Sequence, residues 1–137
     1  MKLKGILETS LYCGDLDAAE KFYSTVLGLE CIGRHEDRHV FFRCGDGVLL
    51  IFNPAHTGAV QSTVEGVPIP LHGTRGPGHM AFSAALGEID AWRERLDRQG
   101  VAIEADVRWG ASGGRSLYFR DPCGNSIEIA TPEIWEL

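Results

Sequence analysis

Apolar and polar positions alternate along several short segments of the chain and recur at helical spacing along two longer ones. The alternation predicts strands over residues 3–13, 29–34, 40–44 and 48–52, and again over 78–84 and 101–107. Two further strands within 115–131 flank a turn of Asp, Pro, Gly and Asn. Spacings of three and four predict helices over 16–27 and 88–99, with Asp15 as an N-cap and Gly28 and Gly100 as C-terminal stops.

The two halves of the chain repeat one order of elements: strand, helix, strand, strand, strand. Pro54 and Pro132 each follow the last strand of a half, and aligning them places Leu50 over Glu128. Residues 53–77 between the halves are rich in Pro and Gly and have no period, which is typical of a connector. We therefore expect two copies of one unit, each with a sheet under its own helix.

Composition and charge exclude several classes of partner. The chain has 137 residues, 44% of them apolar and 23% charged, with a net charge of −6 and no basic run, so nucleic acid is not an expected partner. No apolar segment approaches the length of a membrane span, so no membrane association is expected. The first residues show no signal-peptide core, which predicts a cytoplasmic protein.

Three ionisable residues lie on strand faces that otherwise carry small polar side chains: Glu8, His79 and Glu128. One interpretation is a solvated sheet face, because antiparallel sheets often expose one side to water. The other is a cation site, since two carboxylates and an imidazole on facing half-sheets suit a divalent metal. The alternation alone leaves both interpretations open.

Longer motifs then resemble the vicinal oxygen chelate superfamily, which includes glyoxalase I, bleomycin- and fosfomycin-resistance proteins and extradiol dioxygenases. The matching stretches are ETSLYCGDL at 8–16, GHMAF at 78–82 and YFRDPCGNSIE at 118–128. The resemblance implies an α+β fold of two tandem βαβββ modules that form a cup-shaped, incomplete β-barrel. It implies one domain over 1–137, with module one at about 3–54, a linker at about 55–75 and module two at about 76–132.

Carried over residue by residue, the resemblance places Glu8, His79 and Glu128 at the metal-ligand positions. It implies a divalent ion, with Zn, Mn, Ni, Fe and Mg all open. Leu50 stands where glyoxalase I has a fourth, carboxylate ligand, so the implied site has three protein ligands. The resemblance also implies a homodimer, and it leaves open whether Glu8 completes the site of its own chain or that of the partner chain.

The expected function is Lewis-acid chemistry on a small oxygen-bearing substrate, as lyase, isomerase or thiol or water addition. Two alternatives are a ring-cleaving dioxygenase of the extradiol type and a non-catalytic binder like the bleomycin-resistance proteins. Tyr12 and Tyr118 are candidate proton donors, and the candidate substrate-binding residues are Ser10, Trp109 and Arg115. The histidines at 35 and 39 flank a charged turn and are interpreted as solvated.

Overall fold

A computed structural model describes all residues from 1 to 137, in two compact units of residues 1–76 and 77–137. Unit 1 contains β1 (Glu8–Tyr12), α1 (Leu16–Thr25), β2 (Glu30–His35), β3 (His39–Cys44), β4 (Gly47–Phe52), α2 (Pro54–Thr57), β5 (Thr63–Val64) and β6 (Val67–Pro68). Unit 2 contains β7 (His79–Ser83), α3 (Ile89–Arg98), β8 (Ile103–Trp109), β9 (Gly114–Arg120) and β10 (Ser126–Ala130). Short 3₁₀ helices lie at Leu86–Glu88 and Pro132–Trp135, and the latter is called the C-terminal 3₁₀ turn.

The first sheet has the strand order β1-β4-β3-β2, in which β1 runs parallel to β4 and the other pairs are antiparallel. Helix α1 covers it because its apolar positions form one stripe. Tyr23 of that stripe is fully buried, and its ring centroid lies 5.5 Å from that of Phe42 in β3. Asp15 caps the helix as predicted, since its carboxylate accepts a hydrogen bond of 2.9 Å from the backbone N–H of Ala18.

The second sheet repeats this topology, with the order β7-β10-β9-β8 and a parallel pair formed by β7 and β10. Ile89 and Leu96 on α3 are fully buried, so one face of this helix supplies the apolar core of unit 2. Arg115 at the start of β9 joins three elements. Its guanidinium binds Asp106 on β8 at 2.6 and 2.8 Å and Asp90 on α3 at 2.7 Å.

The prediction of an α+β fold built from two tandem βαβββ modules is confirmed, and neither four-stranded sheet closes on itself. Gly28 and Gly100 both adopt positive φ angles, 73° and 70°, as residues that end a helix commonly do. The first strand is shorter than predicted, because β1 begins only at Glu8. The segment 53–77 also contains a helical turn and a small hairpin that the sequence pattern did not indicate. No helix is both long and apolar enough to cross a bilayer.

Strand register shows which positions of the two modules correspond. Glu8 lies opposite Val48 in the first sheet, and His79 lies opposite Ser126 in the second. Two residues further on, Leu50 and Glu128 occupy matching positions on the central strands, as the alignment of Pro54 with Pro132 predicts. Two of the three candidate ligands, Glu8 and His79, therefore stand at the same place in successive copies of one unit.

Candidate functional site

His79 and Glu128 come together on one face of the second sheet. The Nε2 atom of His79 lies 3.4 Å from Oε2 of Glu128, and the two side chains are 53% and 7% exposed. Because Glu128 is buried, the interpretation of a solvated carboxylate is wrong for this residue. His79 remains accessible from outside while its ring contacts the buried carboxylate.

One hydrogen bond of His79 determines which of its ring nitrogens is protonated and which carries the free lone pair. Its Nδ1 lies 3.1 Å from the carbonyl oxygen of Ser126, and a carbonyl can only accept, so Nδ1 carries the proton. In the neutral ring Nε2 is then an acceptor that faces a second acceptor, the Glu128 carboxylate. The other oxygen of that carboxylate, Oε1, is buried without a hydrogen-bond partner. A proton on Nε2 or a metal ion would make this contact between two acceptors favourable.

The hydrogen bond between His79 and the Ser126 carbonyl is also typical of a histidine that binds a metal. Histidines that bind metals usually donate their other N–H to a carbonyl or carboxylate, which fixes the tautomer and the ring orientation. The Ser126 carbonyl does this for His79. A buried carboxylate with an unsatisfied oxygen is likewise a ready cation ligand. The residues present therefore fit a divalent ion, with one nitrogen and at least one oxygen ligand.

Tyr118 lies beside both residues. It is the cross-strand partner of Glu128, and its ring stacks on that of His79 with centroids 6.2 Å apart and planes inclined by 19°. Burial, and then the nearby Glu128 carboxylate, raise the pKa of Tyr118 above its ordinary value. The phenol therefore stays protonated at neutral pH and can donate a hydrogen bond.

Comparison with known proteins identifies the family. The model of the Glyoxalase/Bleomycin resistance protein/Dioxygenase superfamily matches residues 5–129. The chain belongs to this superfamily.

Individual members resemble the chain to different extents. A crystal structure of lactoylglutathione lyase from Agrobacterium tumefaciens is 39% identical to this chain and superposes with a TM-score of 0.92. The match covers 100% of both chains. The metallothiol transferase FosB of Shouchella clausii is 28% identical over 98% of this chain and 84% of its own. MhqE of Bacillus subtilis, named as a ring-cleaving dioxygenase, is 28% identical over 82% of this chain, but the alignment spans only 37% of that relative.

The remaining predicted site residues of this superfamily member lie in different surroundings. In unit 1, Glu8 and Ser10 are exposed on β1, and the hydroxyl of Tyr12 lies 2.8 Å from Nδ1 of His72. The structure contains no group of three or more His, Cys, Asp or Glu side chains arranged to hold a metal ion. It brings together His79 and Glu128, and the third ligand stays a prediction.

In unit 2, the predicted substrate-binding residues are held by other side chains. Trp109 is 42% exposed, and its Nε1 donates a hydrogen bond of 2.9 Å to the hydroxyl of Ser116. Arg115 is only 5% exposed, with its guanidinium engaged by the two aspartates described above. Their roles toward substrate stay predictions.

One expectation from the sequence was wrong. His39 is half-buried and stacks on Phe41, with centroids 3.9 Å apart and planes inclined by 8°, so it is not a solvated turn residue. The signal was available in the alternation, because residues 39 and 41 of one strand share a face. The orienting carbonyl of Ser126 had no such signal, since it is set by the pairing of β10 with β7.

Proposed function

We propose that this chain is a metal-dependent enzyme that uses a divalent ion as a Lewis acid on a small oxygen-bearing substrate. His79 and Glu128 are two of its ligands, and Glu8 is the third. The observation that carries the proposal is the close approach of the His79 Nε2 lone pair and the Glu128 carboxylate, 3.4 Å apart with Oε1 otherwise unpaired. A cation between them turns this repulsion into attraction.

The ion would supply electrophilic activation of substrate oxygen atoms, which is the chemistry that divalent metals offer without redox change. The residues around it divide the remaining tasks. Glu128 is held in a buried setting, and His79 is oriented by the Ser126 carbonyl. The protonated Tyr118 is placed to donate a hydrogen bond to a substrate oxygen beside them.

Two relatives and the residue Leu50 support a narrower proposal for the reaction class. Lactoylglutathione lyase and the metallothiol transferase FosB both resemble the chain over nearly its whole length. Leu50 is 7% exposed and cannot act as a ligand or base, which disfavours an isomerase that depends on a carboxylate at that position. We therefore favour thiol addition, or a lyase reaction that uses no carboxylate base at position 50. We also propose that the enzyme is a homodimer and that Tyr118 donates the product's proton.

Metal analysis tests the ligand assignment directly. Protein purified without chelators, loaded separately with Zn²⁺, Mn²⁺, Ni²⁺, Fe²⁺ and Mg²⁺ and then dialysed, is expected to retain about one ion per chain for at least one metal. Glu128→Gln and His79→Gln should lose it, because each removes one donor. Glu104→Gln is the matched control, since Glu104 is exposed and pairs with Arg120 at 3.0 Å. Equal retention by all four proteins would contradict the proposal.

Activity assays distinguish the chemistry. The loaded enzyme is given methylglyoxal–thiol adducts and, separately, an epoxide antibiotic with a thiol, and turnover should fall in the Glu128→Gln variant. The similarity to MhqE favours one second candidate, a ring-cleaving dioxygenase. That candidate predicts oxygen uptake with catechols under Fe²⁺. A protein that binds such compounds without metal and without turnover would instead be a binder.

A further inference from the structure

One end of the first sheet carries a row of rings that the fold itself does not require. Tyr12 lies opposite Phe52, Phe52 opposite His39, and His39 opposite His35, so each of the four strands contributes one ring to the same face. The corresponding row of the second sheet contains only smaller side chains: Ser83, Ala130, Ser116 and Val107. The concentration of rings is therefore specific to the first module.

Arg38, next to this row, is a half-buried arginine without an acidic partner. Its Nε donates to the hydroxyl of Ser62 at 3.1 Å, and its guanidinium carbon lies 5.4 Å from the centre of the Phe52 ring. No ion pair in the structure includes it. The nearby Arg34, by contrast, binds the carboxylates of Asp17 and Glu20 at 2.6 and 2.9 Å. A positioned guanidinium held only by neutral groups is a site for an anion.

His39 supplies a second donor at the same place. Its Nδ1 lies 3.1 Å from NH1 of Arg38, and because arginine only donates, Nδ1 is the acceptor and Nε2 carries the proton. Burial, and then the charges of Arg38 and His35, lower the pKa of His39 to about 4, so the ring is neutral at pH 7. Its Nε2–H has no hydrogen-bond partner in the structure.

Two histidines of the connector complete the surroundings. His72 lies over Phe52, with ring centroids 4.6 Å apart, and binds the hydroxyl of Tyr12. The ring centroids of His56 and His35 lie 6.2 Å apart, and Nδ1 of His56 is buried without a hydrogen-bond partner. The acidic residues at 36 and 37 are exposed and make no ion pair with Arg38. The cluster thus combines flat apolar faces with hydrogen-bond donors and contains no carboxylate.

We propose that this ring cluster (Tyr12, Arg38, His39, Phe41, Phe52 and His72) binds an anionic group carried on a flat unsaturated ring, an aromatic carboxylate being the simplest ligand. Arg38 and the Nε2–H of His39 bind the carboxylate, and the aromatic rings contact the flat body of the ligand. The site does not depend on the metal proposed above.

Titration with 2-naphthoate and its neutral analogue 2-naphthamide tests the proposal by calorimetry on metal-free protein. The wild type should bind 2-naphthoate saturably and 2-naphthamide more weakly. Arg38→Gln should weaken 2-naphthoate about 10- to 100-fold, the range expected for a lost hydrogen bond to a charged group, and leave 2-naphthamide unchanged. Arg98→Gln is the charge-matched control, because Arg98 is exposed and pairs only with Glu94 at 3.7 Å.

Further variants locate the site and guard against misfolding. Arg38→Lys keeps the charge without the planar fork and should bind with intermediate affinity. Two-dimensional amide spectra should show shifts on adding 2-naphthoate that centre on residues 38–41. Glu128→Gln should bind like the wild type, which separates this site from the metal centre. The proposal is overturned by an absence of saturable binding, by equal losses in Arg38→Gln and Arg98→Gln, or by loss of binding in Glu128→Gln.

Discussion

Replacing Asn125 with alanine should destabilise the protein more than replacing Asn53, the chain's one other asparagine. Asn125 is 1% exposed and directly precedes β10. Its Oδ1 accepts a hydrogen bond of 2.8 Å from the backbone N–H of Gly78, the residue before His79. Its Nδ2 donates at 2.8 Å to the carboxylate of Asp121. The side chain thereby ties the start of β7 to the turn that leads into β10.

The magnitude follows from those two bonds. The bond to the neutral Gly78 amide contributes about 0.5–1.5 kcal/mol, and the bond to the Asp121 carboxylate contributes about 1.5–3 kcal/mol. Asn125→Ala should therefore lower the free energy of unfolding by about 2–4 kcal/mol. With a denaturant slope of about 2 kcal/mol per molar urea, the unfolding midpoint should fall by about 1–2 M.

Urea unfolding followed by circular dichroism measures this difference, and Asn53→Ala is the matched control. Asn53 caps the short helix α2 through one exposed hydrogen bond of 3.0 Å to Ala55, so its truncation should cost only about 1 kcal/mol. If Asn125→Ala shifted the midpoint no further than Asn53→Ala, the assignment of Asn125 as the link between the strands would be refuted. An unchanged slope would confirm that stability alone had altered.

Three further outcomes are expected. Hydrogen bonds from Arg115 hold the pKa of Asp106 below its ordinary value. This pair therefore stabilises the fold fully above about pH 4 and progressively less below it. The loss of melting temperature caused by Asp106→Asn should accordingly become smaller as the pH falls from about 5 to about 2. The pKa of His39 is about 4 when folded, against 6.5 as the ordinary value, so its ring signals in a proton NMR titration should move only near pH 4. The unfolded chain binds that proton first, so the contribution of His39 to stability declines as the pH falls from about 6.5 to about 4. Gly114→Ala should lower the free energy of unfolding by about 1–3 kcal/mol, and with it the melting temperature. Its new methyl group would collide with the C-terminal 3₁₀ turn, where a backbone nitrogen lies 2.8 Å away. Gly110→Ala should be nearly neutral, because no atom lies within 4 Å of the added methyl group.

Local signals predicted the parts of the structure that depend on neighbouring residues. The cap at Asp15 and the glycine stops at Gly28 and Gly100 follow from residue type and spacing, and the structure has all three. The motif around Glu128 also indicated the strands that carry the candidate ligands. Residues 3–7 alternate as a strand does, but they do not form one in the structure. A strand also requires a paired neighbour, and the pairing of β1 with β4 begins only at Glu8, opposite Val48.

Residue type and spacing did not predict the features that depend on contacts between distant parts of the chain. Arg115 was predicted to bind substrate, yet its immediate partners are two aspartates brought to it by α3 and β8. The neutral tautomer of His39 depends on the guanidinium beside it and on burial under other rings. The lone pair of His79 depends on a carbonyl from another strand. None of these follows from periodicity, because each depends at least in part on contacts made by residues from other elements of the fold.

The duplicated scaffold carries unlike chemistry at like positions, with buried Leu50 in one copy where the other has Glu128. The first sheet carries a row of rings where the second sheet has only small side chains. Substitutions at these rings in the first unit therefore leave both His79 and Glu128 of the second unit in the sequence, so the two sheets can be varied separately.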